Sequence, residues 1–101
     1  MRRRTIEELR NQRVNAMTSA ELAEFEEALA SARLAIRVGE MVRGARESAG
    51  VSQRELALRM STSQAVVARL EAGGTSATLT TLQKAATALG LELTIDLAPV
   101  H

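Results

Sequence analysis

"SQRELALRMSTSQAVVARLEAGG", Ser52 to Gly74, holds two short stretches of helical apolar spacing separated by a small polar break. Leu56, Ala57 and Met60 form the apolar face of the first stretch, and Val66, Val67 and Leu70 that of the second. Ser52 with Glu55 three residues on is a capping box, in which side chains satisfy the orphan N–H groups that open a helix. Ser61-Thr62-Ser63 is the break and Gly73-Gly74 the stop. Each stretch is shorter than the ~12–15 residues at which an isolated helix is even marginal in water. Both therefore need helices before and after them.

The flanking sequence supplies those helices. Thr5 with Glu8 and Thr18 with Glu21 are two further capping boxes, predicting helices over 6–16 and 19–36. The second of these carries Leu22, Phe25, Leu29, Ala32 and Ile36 along one face and Glu21, Glu24 and Glu27 towards the other. At Gly39 the pattern either runs on or restarts, and Val38, Met41, Val42 and Ala45 continue it to a stop at Gly50. After the loop "TSAT" (75–78), Thr78 caps a helix with Leu79, Leu82, Ala86 and Leu89, stopped by Gly90. There the period changes to two. Leu91, Leu93, Ile95 and Leu97 alternate with Glu92, Thr94 and Asp96, the pattern of a half-buried strand, until Pro99.

No other segment reads as a strand, yet a strand must pair its backbone N–H and C=O groups. The same strand from a second copy, antiparallel across a two-fold axis, is the favoured solution, with Leu91, Leu93, Ile95 and Leu97 as the dimerisation residues. A loosely docked extended tail over 91–98 is the alternative.

Composition narrows the function. The 101 residues contain no Cys and one His, His101, so thiolate metal sites, disulfides and His-based catalysis are absent from the expectations. No catalytic residue, metal or cofactor is expected, and the chain does not read as an enzyme. No apolar run reaches the ~20 residues needed to cross a bilayer, and "MRRRTIEELRNQR" has no apolar stretch after its arginines, so it is not a secretory signal. A cytoplasmic protein without membrane contact is the expectation. The net charge of +1 says little, but its distribution says more. Residues 18–30 carry Glu21, Glu24, Glu26 and Glu27 and no basic residue, whereas Arg43 to Gly73 carries five Arg against three Glu.

Two short helices joined by a tight turn form a helix-turn-helix, whose second helix lies in the DNA major groove. Polar side chains near the start of that helix reach base edges; Gln suits adenine N6/N7 and Arg suits guanine O6/N7, each through two matched hydrogen bonds. Gln64 and Arg69 are the residues of those types here. The bland reading is that both are ordinary solvated residues of an all-α protein, as Arg2-Arg3-Arg4 read as a solvated tail or as an arm crossing phosphates.

The quoted stretch resembles the Xre-type, lambda-repressor-like helix-turn-helix in its small polar cap and Gln, its Glu-Leu-Ala, the turn, Ser-Gln, an apolar pair and Leu-Glu-x-Gly. The resemblance covers about 36–90. "FEEALASARLAIRVGEMVRGARESAG" before it and "TLTTLQKAATALGLELTIDL" after it are similar, more narrowly, to HigA-type antitoxins, DNA-binding partners of small RelE-like toxins. The terminal strand is similar to that of HipB-type antitoxins, whose dimers such strands close. The resemblance implies that Gln53 holds a DNA phosphate and that Gln64 and Ala65 face base edges, with Ala68 and Arg69 one turn later. It implies that Thr62 and Ser63 touch phosphate or cap the helix, and that Arg46 and Glu71 form a buried ion pair. The family's turn usually holds Gly where this chain has Ser61, at a position favouring φ > 0 that costs a non-Gly residue about 1 kcal/mol.

The expected fold is therefore all-α, a lambda-repressor-like helix-turn-helix bundle with an N-terminal helical arm (1–35), a DNA-binding domain (36–90) and a C-terminal dimerisation strand and tail (91–101). The expected protein is a homodimeric repressor that reads double-stranded operator DNA and is the antitoxin of a RelE-like toxin. The arm, through Leu22, Phe25 and Leu29, is the expected toxin contact or packs on its own domain; its glutamates face solvent or meet a basic toxin. A stand-alone Xre-type regulator without a toxin is the alternative.

Overall fold

The computed structural model describes residues 5–74 and 77–100, with Val14 and Asn15 as backbone only. Arg2, Arg3, Arg4, Thr75, Ser76 and His101 lie outside the described residues. The chain divides into two compact units, up to Ala32 and from Arg33 on. The described helices are α1 (Ile6–Asn15), α2 (Ser19–Ser48), α3 (Gln53–Arg59), α4 (Gln64–Glu71) and α5 (Leu79–Ala88).

Every one of these helices starts on a hydroxyl. Thr5, Thr18, Ser52, Ser63 and Thr78 each accept a hydrogen bond from the N–H three residues on, at 3.0–3.3 Å. The last four helices also end alike. The residue after the C-cap donates to the carbonyl three back, and its successor donates to the carbonyl five back: Gly50 and Val51, Ser61 and Thr62, Gly73 and Gly74, Gly90 and Leu91. This pair of hydrogen bonds satisfies carbonyls the helix would otherwise leave orphaned.

Local capping fixes where helices begin and end; the core fixes how they pack. In the second unit Val42, Val51, Leu56, Ala57, Met60, Val67, Leu70, Leu82 and Ala85 form one buried cluster, and Leu56, Val67 and Leu70 are fully enclosed. Val38, Ala77, Ala88, Leu89 and Leu93 pack around it. The α2 pattern runs straight through Gly39, so the helix expected over 19–36 and the apolar pattern that leads on to Gly50 are one helix, ending at Ser48. Gly39 is buried because α4 ends against it: a Cβ there would lie 2.5 Å from the Glu71 carbonyl oxygen and 2.7 Å from that of Leu70. It is a point of close backbone approach, not a helix break.

The expected strand over 91–98 is absent, and no strand occurs among the described residues. A ladder needs a second strand, and the described part of this chain offers none. Leu91 instead donates its N–H to Ala86 and closes α5. Of the alternating side chains only Leu93 packs on the core; Leu91, Ile95 and Leu97 are exposed at 53%, 65% and 94%.

In the first unit Leu22, Phe25 and Leu29 are half-buried. Phe25 lines a surface groove with Ile6, Leu9, Arg10 and Arg13 of α1. Ile6 and Leu9 remain largely exposed. Among the described residues no helix is long and apolar enough to cross a membrane.

Candidate nucleic-acid interface

α3 and α4 are joined by the turn Met60–Ser63, and the turn is set by Ser61 at φ +56°. That value is the left-handed one expected where related turns hold Gly. Thr62 is half-buried in the turn, and its N–H donates to Ala57. Ser63 accepts from Val66 N–H, so of the two roles implied for it the structure realises the cap.

From that cap α4 turns Val67 and Leu70 into the core and leaves Gln64, Ala65 and Arg69 exposed, with Ala68 half-buried between them. These four lie at helical neighbour spacing on one face. Gln64 and Arg69 thus emerge from the outward face of a helix whose Val67 and Leu70 are fully buried and whose Val66 is half-buried.

An ionic lock holds the far end of α4. Arg46 grips Glu71 with two of its three guanidinium nitrogens, Nε to Oε2 at 2.7 Å and Nη2 to Oε1 at 3.0 Å. The third nitrogen of Arg46 donates to the Val51 carbonyl at 2.9 Å, tying the end of α2 to the start of the segment that leads into α3. The side chains are 12% and 3% exposed. Burial alone pushes the Glu71 carboxyl up. The hydrogen bonds from Arg46 and Gln53, with the charges of Arg46 and Arg43, outweigh it and hold Glu71 below the usual glutamate range. The same bond to Glu71 raises Arg46.

Gln53 takes part in this lock. Its amide donates to Glu71 Oε1 at 3.2 Å, so this nitrogen, implied by the resemblance to hold a DNA phosphate, is engaged inside the protein. Burial explains the preference: a carboxylate enclosed beside α4 needs every available donor. The arrangement links α2, α3 and α4 through one carboxylate.

Residues 42–95, more than half of the chain, match the helix-turn-helix family. The chain belongs to that family. It is a helix-turn-helix protein of the DNA-binding regulator fold, with α3 and α4 as the two motif helices. No curated protein matches it significantly. Among the described residues no group of three metal-ligating side chains is placed to hold an ion.

The motif spacing was readable in the sequence, but the donation from Gln53 to Glu71 and from Arg46 to Val51 was not. Both depend on the angle between helices rather than on spacing along one.

Proposed function

We propose that this helix-turn-helix protein is a homodimeric, sequence-specific transcriptional repressor and the antitoxin of a RelE-like toxin, autoregulating its own operon. The observation that carries the DNA-binding part is the single exposed face of α4, where Gln64, Ala65 and Arg69 project from a helix pinned by the Arg46–Glu71 lock. Gln64 and Arg69 read base edges, and Thr62 and the backbone around the Ser63 cap lie at the phosphates. Gln53 approaches the phosphate through its position at the start of α3.

The dimer is supported by the C-terminal segment. Leu91, Ile95 and Leu97 leave an alternating apolar edge uncovered, and an antiparallel copy of the same segment satisfies both side chains and backbone. Two recognition helices related by that axis read half-sites about 34–36 Å apart. Size measurement at micromolar concentration is expected to give a dimer that Ile95→Asp dissociates; a monomeric wild type would remove this part of the proposal.

The toxin part rests on the resemblance to HigA-type antitoxins and on the first unit's composition. Leu22, Phe25 and Leu29 form its apolar stripe beside the exposed Glu21, Glu24, Glu26 and Glu27, a surface suited to a basic partner. The deciding experiment is purification of the protein at native level, with identification of any small basic protein that accompanies it. A stoichiometric partner lost on deleting residues 1–35 supports the antitoxin reading. A dimer that binds its upstream DNA with no partner leaves the stand-alone regulator. For the DNA reading, Gln64→Ala/Arg69→Ala is expected to abolish operator preference, and unchanged preference would show that α4 is not the reading helix.

A further inference from the structure

A recognition helix in the major groove has phosphates at both of its ends, yet the loop leaving α4, Ala72 to Ala77, contains no Lys or Arg. The cation for that end must come from elsewhere, and α2 passes beside it. A Cβ on Gly73 would lie 3.1 Å from Ile36 Cα and 3.2 Å from Ile36 N, so the α2 backbone touches the residue that terminates α4. Arg33 and Arg37 sit one turn before and one residue after Ile36 and share a face at i, i+4 spacing.

Both arginines are exposed, and among the described residues neither lies within ion-pair distance of a carboxylate. Glu40, one turn on from Arg37, makes no ion pair with either. Arg43, Arg46 and Arg59 are committed, to Glu47, Glu71 and Glu55. Arg54 and Arg69 of the motif helices are unpaired among the described residues, but Arg54 sits in the first turn of α3 and Arg69 on the face assigned to base edges. Leaving two neighbouring guanidinium groups unpaired beside the end of the recognition helix matches what a phosphate backbone requires.

We infer that Arg33 and Arg37 form a phosphate clamp at the C-terminal end of the recognition helix, so that the DNA-contacting surface starts upstream of the matched residues 42–95. This rests on the DNA-binding reading above. The clamp positions α4 without reading sequence, because phosphate contacts fix register on the duplex and carry no base information.

The test measures binding of the full chain to a labelled mixed-sequence duplex, long enough for two half-sites, across a salt series. Each lost phosphate contact lowers the slope of log affinity against log salt by about one. Arg33→Ala/Arg37→Ala removes two contacts from each protomer of the proposed dimer and is therefore expected to make that slope shallower by about four, with Arg33→Lys/Arg37→Lys retaining most of it. Arg59→Ala/Lys84→Ala removes the same charge from a cleft lined by α3 and α5 residues and is expected to leave the slope near wild type. Wild-type binding with an unchanged slope in the Arg33/Arg37 variant, or an equal change in the charge-matched variant, overturns the clamp while leaving DNA binding intact. A wild type that binds no duplex at low salt overturns the DNA reading, and the clamp falls with it.

Discussion

Helices α3 and α4 end in the same hydrogen-bond pattern, yet one ends on Ser61 and the other on Gly73. Both residues are left-handed, at φ +56° and +85°. The difference is in what surrounds them. At Gly73 a Cβ would meet the Cγ1 of Ile36 at 2.9 Å and the backbone of α2 just beyond. Ser61 is exposed and has a Cβ already, so its cost is conformational only. One stop is dictated by neighbouring backbone, the other by φ alone, and the two kinds of constraint respond differently to substitution.

The largest effect is expected where packing and charge coincide, at the α4 end. Glu71→Ala leaves the buried Arg46 without its carboxylate and should cost about 3 kcal/mol, the lower end for breaking a buried pair because Arg46 keeps its bond to Val51. Urea unfolding at neutral pH checks this, and an unchanged midpoint would show that the lock contributes nothing. The pH dependence follows in sign. Glu71 is lower in the folded than in the unfolded state, so its stabilisation is present above about pH 4.3, the unfolded value, and is lost as pH falls through the lower folded value. The stability gap between wild type and Glu71→Gln should therefore be widest near neutrality and shrink below that pH.

Gly39→Ala tests pure backbone proximity. The new methyl would face the carbonyls of Leu70 and Glu71 inside 3 Å, and neither is the end of a flexible side chain. Overpacking of this kind costs about 1–3 kcal/mol, offset by the ~1 kcal/mol helix preference of Ala over Gly. Because all three contacts are with backbone atoms inside 3 Å the upper end of that cost applies, leaving a net loss of about 2 kcal/mol, measured by thermal melting; a gain would mean that α2 and α4 do not approach this closely. Gly73→Ala adds a left-handed penalty of about 1 kcal/mol to a milder clash that Ile36 relieves in part by moving its side chain, so the expected loss is between 1 and 2 kcal/mol.

These positions also mark what was legible in the sequence. The hydroxyl caps at Thr5, Thr18, Ser52 and Thr78 were readable because capping is local, and so was the α3–α4 motif, whose spacing is local too. At Gly39 the sequence leaves open whether the helix runs on or restarts, because nothing near it shows that a carbonyl from residue 71 arrives there. Leu79, expected on the apolar face of α5, is 63% exposed, and Ala85, which periodicity left unnamed, is buried. Small residues carry a weak apolar signal, so they are missed where helices approach most closely. The alternation over 91–97 was equally clear in sequence, but a ladder needs a second strand that a single chain cannot reveal.

The smallest effect is expected at Ser61, and its sign is opposite to the others. Ser61→Gly removes a left-handed penalty of about 1 kcal/mol and gives back about 0.5–1 kcal/mol through the greater freedom of Gly in the unfolded chain. The net is a stabilisation of at most about 0.5 kcal/mol, a rise of up to a few degrees in Tm for a domain of this size. DNA affinity should not change, because the turn keeps its geometry: the Ser61 and Thr62 N–H bonds to Leu58 and Ala57 are backbone bonds that Gly forms equally well. If Ser61→Gly instead weakens DNA binding at unchanged stability, the Ser61 hydroxyl itself reaches the duplex and joins Thr62 at the phosphates.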